Sequence, residues 1–339
     1  MPIIASEFQA AKGFSYSHIQ TLLPRVLFRT PPLEGHWQNV TLTDGDFVEL
    51  YWQAQKPEQQ TGPLVVLFHG LEGGAASPYI WQTLQQCQQQ GFNALVMHFR
   101  GCGRQPLNRL PRAYHSGDTG DALEVLTYLA KRFPTQPIYL AGFSLGGNML
   151  VKLLAEQPKL PIAAAFVACA PLDLWSCSER IDRGFSRIYR RYLLEPLKQK
   201  FEQKVAQGII PADHPLASVS VKSMRSFFQF DDKVTAPLHG FRSVADYYRR
   251  ASGRPVLGQI NVATRILHAA DDPFLGPNVV PKVNELSPTT TYEMAKHGGH
   301  MGFIERLDGK LHSWLPSAIA QYFRAKENEV SDENTLATA

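Results

Sequence analysis

The chain carries three separated groups that together could do acyl-transfer chemistry. Gly142-Phe143-Ser144-Leu145-Gly146 sets a serine between two small residues. A hydroxyl is a weak nucleophile at neutral pH until a base takes its proton. The best base is His300, in Lys296-His297-Gly298-Gly299-His300-Met301-Gly302-Phe303. His297 competes for that role. The pair is spaced like a metal pair, but the glycines between them argue for a loop and not a ligand-bearing helix. An imidazole working as a base needs an acid that fixes its tautomer and stabilises its charged form. Ala269-Ala270-Asp271-Asp272-Pro273 supplies two carboxylates. Asp271 is the first side chain free to leave a strand end and is assigned the role; Asp272 precedes proline and reads as shaping the turn. The developing oxyanion needs backbone donors, for which the N–H groups of Leu145 and Leu71 are the candidates. Leu71 lies in the glycine-rich run Phe68-His69-Gly70-Leu71-Glu72-Gly73-Gly74. His69, Gly70 and Phe143 are candidates for lining the substrate pocket.

These groups need rigid elements behind them. Residues 64–68 are a continuous apolar run bounded by Gly62-Pro63 and His69-Gly70, which suits a strand buried on both faces, and residues 94–99 read as a second buried strand. Residues 137–141 and 162–170 repeat the pattern, and helical stretches near 79–90, 118–132 and 148–155 alternate with them. Strand character returns at 263–267 and 290–294, with a helix expected near 279–286 and another over 311–323. This alternation predicts an α/β fold with a mainly parallel central sheet and helices on both faces. Ser144 then follows a buried strand and precedes a helix, the setting of a nucleophile elbow, and the order Ser…Asp…His is that of the α/β hydrolases.

Residues 1–62 read as an N-terminal segment with two strands, 36–42 and 47–52, and a short helix over 18–28 interrupted by Pro24. The core is expected over 63–171 and 251–325. Residues 172–250, richer in charge and aromatic rings, read as a helical cap inserted over it. Residues 326–339 are polar and acidic and read as a mobile tail. Within the cap, Arg180, Arg183, Arg187, Arg190 and Arg191 interleave with Ile181, Phe185, Ile188, Tyr189 and Tyr192. That pattern is either a solvated face over a core face or a lid that touches anionic head groups or a long acyl chain.

Composition narrows the alternatives. Among 339 residues, 44% are hydrophobic and 19% charged, with a net charge of +4. So small a positive excess argues against nucleic acid as the main partner. Cys87, Cys102, Cys169 and Cys177 show neither a CxxC pair nor a metal-ligand rhythm, as expected of reduced thiols in a core. No basic leader precedes an apolar stretch, and no window approaches ~18 unbroken apolar residues. A cytoplasmic location with peripheral membrane contact is expected.

The blocks GFSLGGN at 142–148, HGLEGG at 69–74, FRGCG at 99–103, YHSGDTGD at 114–121, AADDPF at 269–274 and HGGHMGF at 297–303 resemble the fourth AB-hydrolase family, most closely its bacterial YheT-type esterases. The resemblance runs from about Ser17 to Phe323. It implies an α/β-hydrolase fold, carboxylic-ester hydrolysis of a small-molecule or lipid-like substrate without a cofactor, and a relay on Ser144, Asp271 and His300. A thioesterase or amidase with the same triad, and a non-catalytic binding protein on the same fold, remain the alternatives.

Overall fold

In the computed structural model the chain is described over residues 2–337, with side chains through 329. Met1 and residues 338–339 lie outside the described residues. The apolar runs become the strands expected of them. β1 (Ile3–Ala5), β2 (His36–Thr41), β3 (Phe47–Trp52), β4 (Leu64–Phe68), β5 (Asn93–His98), β6 (Ile138–Phe143), β7 (Ile162–Ala168), β8 (Thr264–Ala269) and β9 (Thr290–Ala295) form one sheet in the order β1-β9-β8-β7-β6-β4-β5-β3-β2. β2 and β3 pair antiparallel, as do β3 and β5; the other neighbours are parallel.

Every residue of β4 is buried, and alternate side chains serve opposite faces. Leu64, Val66 and Phe68 join one apolar cluster, while Val65 and Leu67 join the other. The first cluster is completed by α4 (Gly120–Arg132) and α5 (Leu145–Glu156), the second by α3 (Pro78–Gln89) and α11 (Trp314–Ala337). α4 shows why such helices form: Ala122, Val125, Leu126 and Leu129 make a buried stripe at helical spacing, and Lys131 and Arg132 in its last turn face the negative dipole end. Parallel register brings the C-terminal ends of β4, β6, β7 and β8 side by side, where ligands of open α/β sheets collect. Between β7 and β8 lie α6 (Leu174–Ile181), α7 (Ser186–Ala206), α8 (Phe227–Phe230), α9 (Ala236–Leu238) and α10 (Val244–Ala251). Leu194, Phe201, Ile210, Val221 and Phe230 give this stretch an apolar cluster of its own.

Four features depart from expectation. β1 joins the sheet edge by pairing Ile3 with Tyr292; a strand of three residues carries too little pattern to read. Residues 279–286 form two single turns, Pro277–Val279 and Val283–Glu285, in place of a helix, because Pro281 between them can neither donate nor tolerate the helical backbone before it. The last helix starts at Trp314, after a hairpin of β10 (Ile304–Leu307) and β11 (Lys310–Ser313) turning on Asp308-Gly309. The polar segment from Lys326 continues α11 to Ala337 and is no separate tail; the Tyr139 hydroxyl donates to Glu327 there. The interrupted helix at 18–28 appears as α1 (Ser17–Leu22) and α2 (Pro24–Leu27), broken where Pro24 begins the second.

Candidate active site

Ser144 ends the tight turn from β6 into α5. Its backbone stands at φ 51, ψ −120, a region non-glycine residues rarely enter, at a cost of roughly 1–3 kcal/mol that the surroundings must offset. They do so by close packing. A Cβ on Gly142 would lie 2.6 Å from the Gly146 carbonyl oxygen, and one on Gly146 would lie 2.4 Å from the carbonyl oxygens of both Phe68 and His69. The turn is held on the neighbouring strand by Ser144 N–H donating to Ala168 O at 2.9 Å.

The structure brings Ser144 and His300 together, with Nε2 to Oγ at 3.0 Å. The carboxylate behind the imidazole is Asp272, not Asp271. His300 Nδ1 lies 2.8 Å from Asp272 Oδ2, and the Asp272 side chain is fully buried. The expectation failed because β8 does not simply release its first free side chain outward. A turn closes instead, with Asp272 N–H donating to Ala269 O, and Asp272 Oδ1 accepts from Phe274 N–H. That Asx turn before Pro273 points Asp272 back over the sheet. Asp271 braces the histidine loop, accepting from Gly299 N–H at 3.0 Å. Burial raises the Asp271 carboxyl above its ordinary range. His297, the rival base, faces Asp271 at 3.7 Å.

The loop that carries His300 is held by α1, a contribution the sequence reading did not assign. His300 N–H donates to Thr21 Oγ1 at 2.9 Å. Buried Gln20 accepts from Ile304 N–H and donates to Phe14 O. Gly302 packs so tightly here that a Cβ would come within 1.9 Å of Gln20 O. The His300 ring also stacks on Phe274, centroids 4.1 Å apart.

The glycine-rich loop after β4 runs past the serine. Gly70 N–H donates to Tyr79 Oη and Glu72 N–H to Tyr114 Oη, each at 2.9 Å, so the peptides flanking Leu71 are fixed. Leu145 opens α5, where first-turn N–H groups have no carbonyl within the helix to bond. Glu72 also takes an ion pair from Lys200 of α7 at 2.6 Å, tying the inserted helices to this loop. Of the proposed lining residues, Gly70 borders a cavity, but His69 and Phe143 do not. Phe143 is fully buried in the core. His69 is fully buried too, accepting from Phe99 N–H and donating to Gly70 O, and burial pushes its pKa down to about 3. It is a neutral strut.

Two cavities meet at Ser144 and His300, separated by Leu71, Leu193 and Phe274. One, about 200 Å³, runs beneath the inserted helices and is lined mainly by apolar groups, including Leu174, Leu197, Phe201, Phe230 and Val234. The other, about 1160 Å³, is a wide cleft between the 21–37 segment and α7, with Arg25, Arg29 and Arg104 on its walls. In the wall of the first cavity, His115 and His239 bring their ligating atoms within 4.8 Å of those of Asp118 and of each other, but Arg112 already engages Asp118 at 2.6 Å. The FRGCG block holds Arg100 in a buried cluster with Asp46 and Asp121.

Residues 63–307 match the family described as alpha/beta hydrolase fold. The chain belongs to the α/β-hydrolase family. It is 43% identical over 94% of its length to the Escherichia coli protein named "Putative esterase YheT", covering 93% of that protein. It is 32% identical over 77% of its length to "Medium-chain fatty acid ethyl ester synthase/esterase 2" of Saccharomyces cerevisiae, covering 62% of it. Among solved structures, ferulic-acid-bound Est1E of Butyrivibrio proteoclasticus shares the fold at a TM-score of 0.54 and 16% identity, over 86% of this chain and 99% of that one. The 43% identity to the Escherichia coli esterase, over nearly the whole of both chains, places the α/β hydrolase among the carboxylic-ester hydrolases. Among the described residues, no helix is long and apolar enough to cross a membrane.

Proposed function

We propose that this α/β hydrolase cleaves carboxylic esters through an acyl-enzyme, with Ser144 as nucleophile, His300 as general base and Asp272 as the acid that orients it. His300 takes the Ser144 proton as Oγ attacks the ester carbonyl. The N–H groups of Leu145 and Leu71 receive the negative charge of the tetrahedral intermediate, each worth roughly 3–4 kcal/mol in the transition state. The imidazolium returns its proton to the departing alcohol. Water, deprotonated by the same histidine, then releases the acid and restores the serine. Asp272 holds the Nδ1 proton and stabilises the imidazolium throughout.

The observation that carries this reading is the unbroken line Ser144–His300–Asp272, at 3.0 and 2.8 Å, where two cavities join. The narrow apolar cavity suits an uncharged acyl chain, since burying a charge there without a partner is costly. The wide cleft, whose walls carry Arg25, Arg29 and Arg104 beside apolar groups, suits the alcohol half and the attacking water. Turnover of p-nitrophenyl acyl esters, with labelling by a fluorophosphonate probe, tests the assignment. Ser144→Ala should lose both; a variant that keeps its turnover refutes the nucleophile.

A further inference from the structure

Of the thirteen large apolar side chains that stand exposed among the described residues, eight fall in two short stretches, 16–27 and 185–192. The first supplies Tyr16, Ile19, Leu22, Val26 and Leu27; the second supplies Phe185, Ile188 and Tyr192 at helical spacing. Val26 is 62% exposed, Ile188 57% and Tyr192 61%, so these are not edges of core residues. The two stretches are stitched into one face. His18 Nδ1 meets Tyr189 Oη at 2.9 Å, the His18 ring packs on Phe185 with centroids 4.5 Å apart, and Arg25 lies over the Tyr192 ring at 4.7 Å. Leu22, Arg25, Arg29, Ile188 and Tyr192 also line the wide cleft that leads to Ser144. The apolar face is therefore the rim of the site's mouth.

Its charge is one-sided. Residues 16–33 and 183–194 contain Arg25, Arg29, Arg183, Arg187, Arg190 and Arg191 and no aspartate or glutamate. All of these but Arg190, which pairs with Asp182, are exposed. Exposed apolar side chains among an excess of cations, with Glu34, Asp182 and Glu195 at the borders of the two stretches, match a surface with an oily interior and a negative skin.

We infer that this face docks the enzyme on a bilayer surface rich in anionic phospholipid, with Val26, Leu27, Phe185 and Ile188 dipping among the head groups and the arginines pairing with phosphates. The surface stands without the catalytic reading. Its consequence, that ester substrates pass from the lipid into the cleft, rests on that reading.

The test is co-sedimentation of the full chain with phosphatidylcholine vesicles, with and without one quarter phosphatidylglycerol, at low and at physiological salt. The wild type and Ser144→Ala should both bind the anionic vesicles, weaken with salt, and ignore phosphatidylcholine alone. Reversing Arg183, Arg187 and Arg191 to glutamate, none of which lines the cleft, should lower the partition coefficient by at least about 100-fold. Val26→Asp with Leu27→Asp should also release the protein. Both variants should keep hydrolysis of a soluble short-chain ester within twofold of wild type, which separates a lost surface from a lost site. A wild type that stays in the supernatant with anionic vesicles at low salt overturns the inference. So does charge-reversed protein that sediments like wild type, or a light-scattering dimer that Val26→Asp with Leu27→Asp dissolves, which would make the face a contact between copies.

Discussion

Acid should destabilise this fold through three buried histidines that take no part in the proton relay. His69, His98 and His268 are each at most 1% exposed, and each is wired as a neutral ring. His69 Nε2 accepts from Phe99 N–H while Nδ1 donates to Gly70 O. His98 Nε2 accepts from Ala75 N–H while Nδ1 donates to Glu49 O. His268 donates from Nε2 to Ala170 O and accepts the Tyr292 hydroxyl at Nδ1. A second proton on any of them would put a donor against a donor in a dry interior. Burial accordingly lowers their pKa values to about 3, 4 and 4. An unfolded histidine titrates near 6.5, so below that pH the unfolded chain binds protons that the folded chain refuses, and stability falls as pH falls. One unit below 6.5, each site costs a little over ~1 kcal/mol, or about 4 kcal/mol for the three. His115 and His239, also pressed down to about 3 by burial, act in the same direction. Asp231, pushed up to about 6 by burial, opposes them, because the folded chain takes its proton first; that returns about 1 kcal/mol.

The net expectation between pH 7.5 and pH 5.5 is a loss of at least about 3 kcal/mol, a large part of the ~5–15 kcal/mol available to an ordinary fold. Guanidinium unfolding followed by tryptophan fluorescence at the two pH values measures it. His268→Gln should reduce the difference between them by about 1 kcal/mol, whatever it does to stability at pH 7.5. A stability that is flat or higher at pH 5.5 would refute the reasoning. His69 and His98 lie under the loop that carries Leu71, and His98 holds Ala75 on it, so the loss should begin beside the site.

Replacing Asp272 with asparagine should lower kcat by about 10³–10⁴-fold, while Asp271→Asn should stay within roughly tenfold of wild type; steady-state kinetics on one p-nitrophenyl ester decides between the two carboxylates. Gly146→Ala must push a methyl against the Phe68 and His69 carbonyls and should cost at least about 1–3 kcal/mol by chemical denaturation. Gly45→Ala, at φ 85 with nothing within 4 Å, has only backbone strain to bear and should cost about 1–2 kcal/mol. Arg100→Met strands Asp46 and Asp121 in the interior and should cost about 3–5 kcal/mol, visible as a fall in Tm, with kcat on the remaining folded enzyme little changed.

What could be read in the sequence was what local chemistry dictates. Continuous apolar runs between glycine and proline gave the parallel strands, and a serine between two glycines at a strand-to-helix junction allowed only a tight turn. His300 was legible because its glycine neighbours announce a loop that must come close to something. Whatever depended on where a loop goes next was not legible. Asp271 and Asp272 differ by one position, and the choice is made by a turn that Asp272 closes on Ala269 and Phe274. His69 stands in the right motif, yet its ring points inward because Phe99 N–H needs an acceptor there. Thr21 and Gln20 reach the histidine loop across some 280 residues, a separation at which sequence spacing says nothing about contact. These later choices have one cause: each buried N–H or carbonyl near the site must find a partner, and the side chain nearest in space takes the task whatever its place in the chain. The residues that position the site are therefore the ones least visible before folding, and the Asp271 and Asp272 variants measure how much of the proton relay depends on that placement.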